Sequence, residues 1–315
     1  MGDPESPSSP LLQWLDPAPH EELLSSLENG EYIPKSQTDV PCAEQNGRET
    51  VAQIQKYSTY PPSIFLGLHL VNTSLIPLAT RSVAASETYL LLTRPIYQAP
   101  VLEPVLLTAP ILAHIASGVA LRFVRQSRRA RLYGAETRQQ RKALKAANLP
   151  SVQARLGYLL IPFIGVHVLL NRIGPWYVDG GSSSVGLGYV AHGFARSPWT
   201  MGVWYTGLVG IGVWHFVGGC AQWMGWREVV GLNREKEKRL GATAGYLGNA
   251  KQIEALRRRK WRTWVILGAT LAGATLWLAG GLGVVGREGL GSGWEAKTWD
   301  SIYSQIPLLG PYLAG

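Results

Sequence analysis

The apolar residues of this chain come in blocks about as long as a bilayer's hydrocarbon core is thick. That core is ~30 Å, and a helix needs about 20 residues to cross it. Such blocks run at roughly 62–80, 102–122, 156–175, 200–225 and 262–285, with nearly all charges between them. In lipid every backbone N–H and C=O must be paired within its own segment, which leaves the helix as the natural spanning element here. The expected fold is therefore an all-α integral membrane protein with five transmembrane helices. Average composition would not have revealed it, since a hydrophobic share of 46% is ordinary for a globular protein. Two blocks are impure: Glu103 and Pro104 open the second, and Pro162 interrupts the third. Tyr57, Tyr60, Trp176, Tyr177, Trp199, Trp223, Trp226 and Trp261 crowd the ends, where amphipathic rings meet headgroups.

Charge sets the orientation, because basic loops resist translocation. The loop at 122–155 has ten basic residues and one acidic, and that at 227–262 has eleven and four. Segments 81–100 and 171–198 have two basic residues each. Five spans then place the N-terminus and both basic loops in the cytosol and residues 287–315 on the other side. The net charge of +9 clusters on helix-like stretches such as RFVRQSRRARLYG, which suit anionic headgroups better than nucleic acid, beyond their role as a topology signal. The first 60 residues carry ten acidic and three basic side chains, unlike a secretory signal or a mitochondrial presequence. Cys42 and Cys220 have neither metal-ligand spacing nor an evident partner and read as inert thiols.

The spans repeat. FLGLHLVNTSL in the first aligns with FIGVHVLLNRI in the third, 98 residues on. HIASG in the second aligns with HFVGG in the fourth, 101 residues on. The first four spans are thus expected to be a duplicated helical hairpin, 60–133 and 154–228, within a membrane domain at 59–285. His69, His114, His167 and His215 each fall near the middle of a span, where a polar side chain is costly and faces the bundle interior. Such histidines are candidate axial ligands for haem b, with Gly118 and Gly219 leaving room for a flat macrocycle. The alternative is hydrogen-bonding glue between helices. The fifth span, GATLAGATLWLAGG, has a small-residue face including Gly268 and Ala272, suited to packing in the bundle or against a second copy.

Residues 1–58 are rich in Pro, Ser and Glu and read as a disordered acidic tail. Within it, Leu12, Leu15, Pro17 and Pro19 form an aliphatic-x-x-aliphatic-x-Pro-x-Pro string, a candidate docking peptide for a partner's groove or sheet edge. Residues 286–315 read as a short C-terminal tail. Neither a Gly-rich phosphate loop nor a hydrolase constellation occurs, and two cysteines cannot hold an iron–sulfur cluster, so no enzyme class is indicated.

Together, the five spans, the duplicated FLGLH/FIGVH hairpins and the tail resemble the MCP-type family of fungal mitochondrial outer-membrane adaptors. These recruit the chorein-type, bridge-like lipid-transfer protein. The resemblance covers about 60–285. The tail string matches, position by position, the motif by which organelle adaptors bind that protein, which gives Leu12, Leu15, Pro17 and Pro19 the role of partner contacts. The membrane portion is also similar to the haem-bearing cytochrome b anchors of fumarate reductase and succinate dehydrogenase, and Arg94-Pro95 echoes a quinone-anchor motif. The resemblance implies mitochondrial outer-membrane residence with a cytosolic N-terminus, work at organelle contact sites and a part in lipid homeostasis and transport. ATP-independent lipid scrambling fits it, because a bridge delivers lipid to one leaflet only. Polar groups at span ends, Asn72, Thr73, Ser74, Asn171 and Arg172, suit a headgroup-tolerant groove. The competing expectation is a haem b cytochrome with a redox or haem-handling role.

Overall fold

Proline decides the local form of these helices. A proline inside a helix lacks its N–H, and its ring collides with the carbonyl four residues back. In the computed structural model, three prolines are accommodated in the same way, by a π turn that ends two residues before them. The α2 helix (Tyr60–Leu70), which follows α1 (Cys42–Tyr57), passes into a π turn at Val71–Leu75 and continues as α3 (Ile76–Thr80) through Pro77. There the Ile76 N–H reaches back to the Val71 carbonyl, so the widened turn moves the obstructing carbonyls aside. A π turn at Pro104–Thr108 likewise precedes Pro110, and one at Leu169–Ile173 precedes Pro175. Arg81, in the left-handed region at φ 53°, ends α3 with its N–H on the Pro77 carbonyl.

The structure describes residues 42–133, 138, 149–226, 250–306 and 310–313, and every regular element among them is helical. The candidate partner contacts Leu12, Leu15, Pro17 and Pro19 lie outside this set. After α3 come α4 (Val83–Gln98), α5 (Ala109–Tyr133), α6 (Val152–Val168), α7 (Gly174–Asp179), α8 (Leu187–Arg196), α9 (Pro198–Trp223), α10 (Ala250–Gly281) and α11 (Gly293–Gln305). Four helical stretches are long and apolar enough to cross a membrane: Asn46–Thr80, Pro104–Ser127, Val152–Asp179 and Arg257–Arg287. They match the blocks expected near 62–80, 102–122, 156–175 and 262–285, the second beginning two residues later than expected. The expected span at 200–225 forms α9, which has the length but is not among the four. Its Gly, Thr, Tyr, Trp and His residues dilute the aliphatic ones.

The chain divides into two units, one of residues 1–66 and 96–149, the other of 67–95 and 150–315. In the first, α1 packs on α5 through Ala52 and Leu121, with Phe65 edge-on to Tyr97 at 5.0 Å. In the second, α9 packs against both α6 and α10. Glycines permit close approach: a Cβ at Gly207 would come within 2.5 Å of the Phe163 ring, and one at Gly280 within 2.3 Å of the Ser74 carbonyl oxygen. The face of α10 bearing Gly268 and Ala272 is exposed, and the packing falls on Ile266, Gly273 and Gly280 instead.

The best-buried core of the second unit lies, apart from Leu170 and Met201 at the ends of expected spans, where a loop and a tail were expected. Leu170, Tyr189, Phe194, Met201, Trp299, Ile302, Tyr303 and Ile306 form one cluster, so residues 286–306 complete a cap over α8 and the 180–186 turn. Tyr189 and Tyr303 stack at 4.5 Å. The Tyr303 hydroxyl donates to the Tyr189 carbonyl (3.1 Å), and the Tyr189 hydroxyl donates to the Leu170 carbonyl (2.9 Å). Burial pushes both phenols above their ordinary ionisation range.

Candidate functional site

Four span histidines were expected to act together, and the structure separates them into two environments. Two are each held by a glutamine. In the first unit, Gln55 Nε2 lies 3.1 Å from Nδ1 of His114, and Ser117 Oγ donates to Gln55 Oε1 at 2.6 Å. In the second unit, Gln153 Nε2 lies 3.2 Å from Nδ1 of His215 and donates to its carbonyl at 2.6 Å. The space beside Gly118 and Gly219, expected to admit a macrocycle, is taken by these glutamine side chains: a Cβ at Gly118 would meet Gln55 at 3.3 Å, and one at Gly219 would meet Gln153 at 3.6 Å. Sequence reasoning passed over both glutamines, although Gln55 and Gln153 stand 98 residues apart like the histidines that follow them.

The other two face each other. His69 and His167, both in the second unit, have ring centroids 5.9 Å apart. Trp277 flanks His69 at 6.1 Å and Tyr205 flanks His167 at 5.7 Å. The π turns that follow each histidine extend this pair into a polar column. Thr73 Oγ1 donates to the His69 carbonyl (2.7 Å) and accepts from Trp277 Nε1 (3.1 Å). Asn72, almost wholly buried, donates to the Leu68 carbonyl (3.0 Å) and to Thr93 Oγ1 (2.9 Å). Ser74 donates to the Leu276 carbonyl (2.7 Å). On the other side, Asn171 donates to the His167 carbonyl (2.8 Å) and to the Tyr205 hydroxyl (3.1 Å). In hydrocarbon an unpaired polar group is expensive, so such a column persists only because its members satisfy one another.

The His69–His167 pair also fits one requirement of haem ligation. Metal–imidazole nitrogen distances of about 2.0 Å place two rings on one metal roughly 6 Å apart between centroids. Among the described residues, no three His, Cys, Asp or Glu side chains group as a metal site.

Toward the cap the column ends in charge. Arg94 donates to the carbonyls of Val185 (3.0 Å), Ser182 and Ser183, and Arg172 donates to the Ser182 hydroxyl. Glu87 accepts from the N–H groups of Leu187 (2.8 Å) and Gly188 (3.2 Å) at the start of α8, where a carboxylate complements the helix dipole. Burial nevertheless pushes the Glu87 carboxyl upward, against those two hydrogen bonds. A Cβ at Gly186 would fall 1.6 Å from Glu87 Oε1, so a side chain there would push the carboxylate off its two N–H partners. Buried His192 places Nε2 2.7 Å from Asp300 Oδ1, and Arg196 pairs with the same oxygen at 2.6 Å. Burial raises the Asp300 carboxyl, but the Arg196 and His192 hydrogen bonds outweigh it and hold Asp300 below its ordinary value.

Helices of spanning length, widened into π turns ahead of prolines and enclosing a hydrogen-bonded polar column, define a polytopic α-helical membrane protein. The family described as MDM10-complementing protein 1, transmembrane domain, matches residues 64–157 and 162–290. The chain belongs to that family. No curated protein and no solved structure matches it.

Proposed function

We propose that this protein is a mitochondrial outer-membrane adaptor that both recruits a bridge-like lipid-transfer protein and moves lipid between leaflets. The polar column from His69 and His167 to Arg94 and Arg172 carries the lipid-handling half. A headgroup crossing a bilayer needs polar partners along its path, and this column offers them by exchanging its internal hydrogen bonds for headgroup ones beside π turns that interrupt regular helix. Purified protein in liposomes should move labelled lipid without ATP. Dithionite quenching confined to the outer-leaflet half, as in empty liposomes, would reject the reading. Recruitment is assigned to Leu12, Leu15, Pro17 and Pro19: replacing Pro17 and Pro19 by Ala should abolish capture of the transfer protein while insertion and abundance stay normal. Capture at the wild-type level would reject that half alone.

The same reading includes five crossings and a cytosolic N-terminus. The support is that α9 runs antiparallel beside α10, with Val213 against Gly273, Ala221 against Ile266 and Trp226 against Trp261. At about 1.5 Å per residue, the 26 residues of α9 rise about 39 Å, as far as a span requires. Basic residues 257–260 and 262 open the spanning stretch Arg257–Arg287, at its end away from the cap. The duplicated hairpin belongs here too: the two family-matched stretches begin 98 residues apart, as do Gln55 and Gln153, His69 and His167, and Pro77 and Pro175.

The 5.9 Å His69–His167 separation favours one second reading, haem b held by this pair. When bound, haem would supply one-electron chemistry. Protein expressed with haem supplied should then show sharp α and β bands that His167→Gln removes, whereas a preparation without a Soret band leaves both histidines as helix glue.

A further inference from the structure

The α4 helix follows the first spanning stretch by three residues and carries its polarity inside out. Its outward positions are Ala84, Ala85, Thr88, Tyr89, Leu91, Leu92, Pro95 and Ile96, none of them charged. Tyr89, Leu91 and Leu92 are 50%, 49% and 70% exposed. The two charges of the helix, Glu87 and Arg94, turn inward onto the 182–188 backbone, alongside buried Val83, Ser86 and Leu90. A surface helix in water places its charges outward. The exposed positions of the span before it, such as Gly67, Val71 and Ala79, are likewise uncharged. Trp176 and Tyr177, 64% and 77% exposed, precede by a few residues the carbonyls gripped by Arg94, and such rings mark headgroup level.

We infer that α4 is not an aqueous loop element but a membrane-embedded helix packed along the first span, with its Ala84–Leu92 face in the acyl chains of the leaflet on the cap side. The Thr80–Ser86 and Asn72–Thr93 hydrogen bonds run α4 back antiparallel beside the first spanning stretch, and at about 1.5 Å per residue its 16 residues rise about 24 Å, short of a full crossing. The inward Glu87 and Arg94 anchor it to the cap and leave acyl chains as the only partner its outer face requires. The inference is independent of whether the protein scrambles lipid.

Nitroxide labels in proteoliposomes test this. With Cys42 and Cys220 replaced by Ser, labels are placed at Thr88→Cys and Leu92→Cys, with Ser183→Cys as the exposed reference on the cap turn. Both α4 labels should be relaxed severalfold more by oxygen, which partitions into lipid, than by a water-soluble nickel chelate, and Ser183→Cys should show the reverse. Nickel-chelate relaxation at both α4 sites equal to that at Ser183→Cys would overturn the inference in favour of water. Protection from both reagents would overturn it in favour of a second copy or another protein covering the face.

Discussion

Glu87 and Asp300 both serve the cap, yet they respond to acid in opposite directions. Asp300 is held below its ordinary value by Arg196 and His192, so its stabilisation is complete above the unfolded-state value near 3.8 and is lost as pH falls through the lower folded value. Glu87 is pushed up by burial from an ordinary value of 4.5, so its charged form opposes folding, and that penalty disappears as pH falls through the raised value. Thermal unfolding in detergent should show Asp300→Asn flattening the acid limb. Glu87→Gln, which keeps an acceptor for the Leu187 and Gly188 N–H groups, should be neutral to stabilising near pH 7. Glu87→Ala should lose about 1 kcal/mol through the missing helix cap, and a loss from Glu87→Gln equal to that from Glu87→Ala would contradict this account. At this scale the sequence spoke unevenly. Gln55 and Gln153 were legible, since they share the histidine spacing, but a glutamine ahead of a span draws no notice until its partner is seen. The Glu87 and Asp300 contacts join residues about 100 positions apart, and no local pattern encodes them.

Among the elements, the helices with strong hydropathy were legible and those defined by their neighbours were not. The sequence marked Pro104 and Pro162 as interruptions, but the prolines absorbed by a preceding π turn are Pro77, Pro110 and Pro175. The α9 helix is the informative case, because its glycines and aromatics lower hydropathy while fitting it closely to α6 and α10. In a background lacking Cys42 and Cys220, the pairs Val213→Cys with Gly273→Cys and Ala221→Cys with Ile266→Cys should each cross-link with a short bifunctional maleimide. The mismatched pair Val213→Cys with Ile266→Cys should not. Equal yields from matched and mismatched pairs would mean that α9 does not run fixed beside α10.

For the molecule as a whole, stability is concentrated in the cap. Tyr303 is almost wholly buried and bonded to the Tyr189 carbonyl, so Tyr303→Ala should cost roughly 3–5 kcal/mol. Leu290→Ala, at an exposed site, should cost little. Equal unfolding midpoints for the two variants would show that the cap does not hold the fold. The stretch 286–306 read as a tail because its amphipathic partners lie in 170–201, far upstream. That separation also orders events during biogenesis. A ribosome releases 182–201 long before 293–305, so Tyr189, Phe194 and Met201 wait uncovered until residues 293–305 pack onto them. Whatever machinery inserts this protein must shelter that half-made surface, and a stall or nick before Trp299 would yield a product that quality control can distinguish from the finished chain by those exposed rings alone.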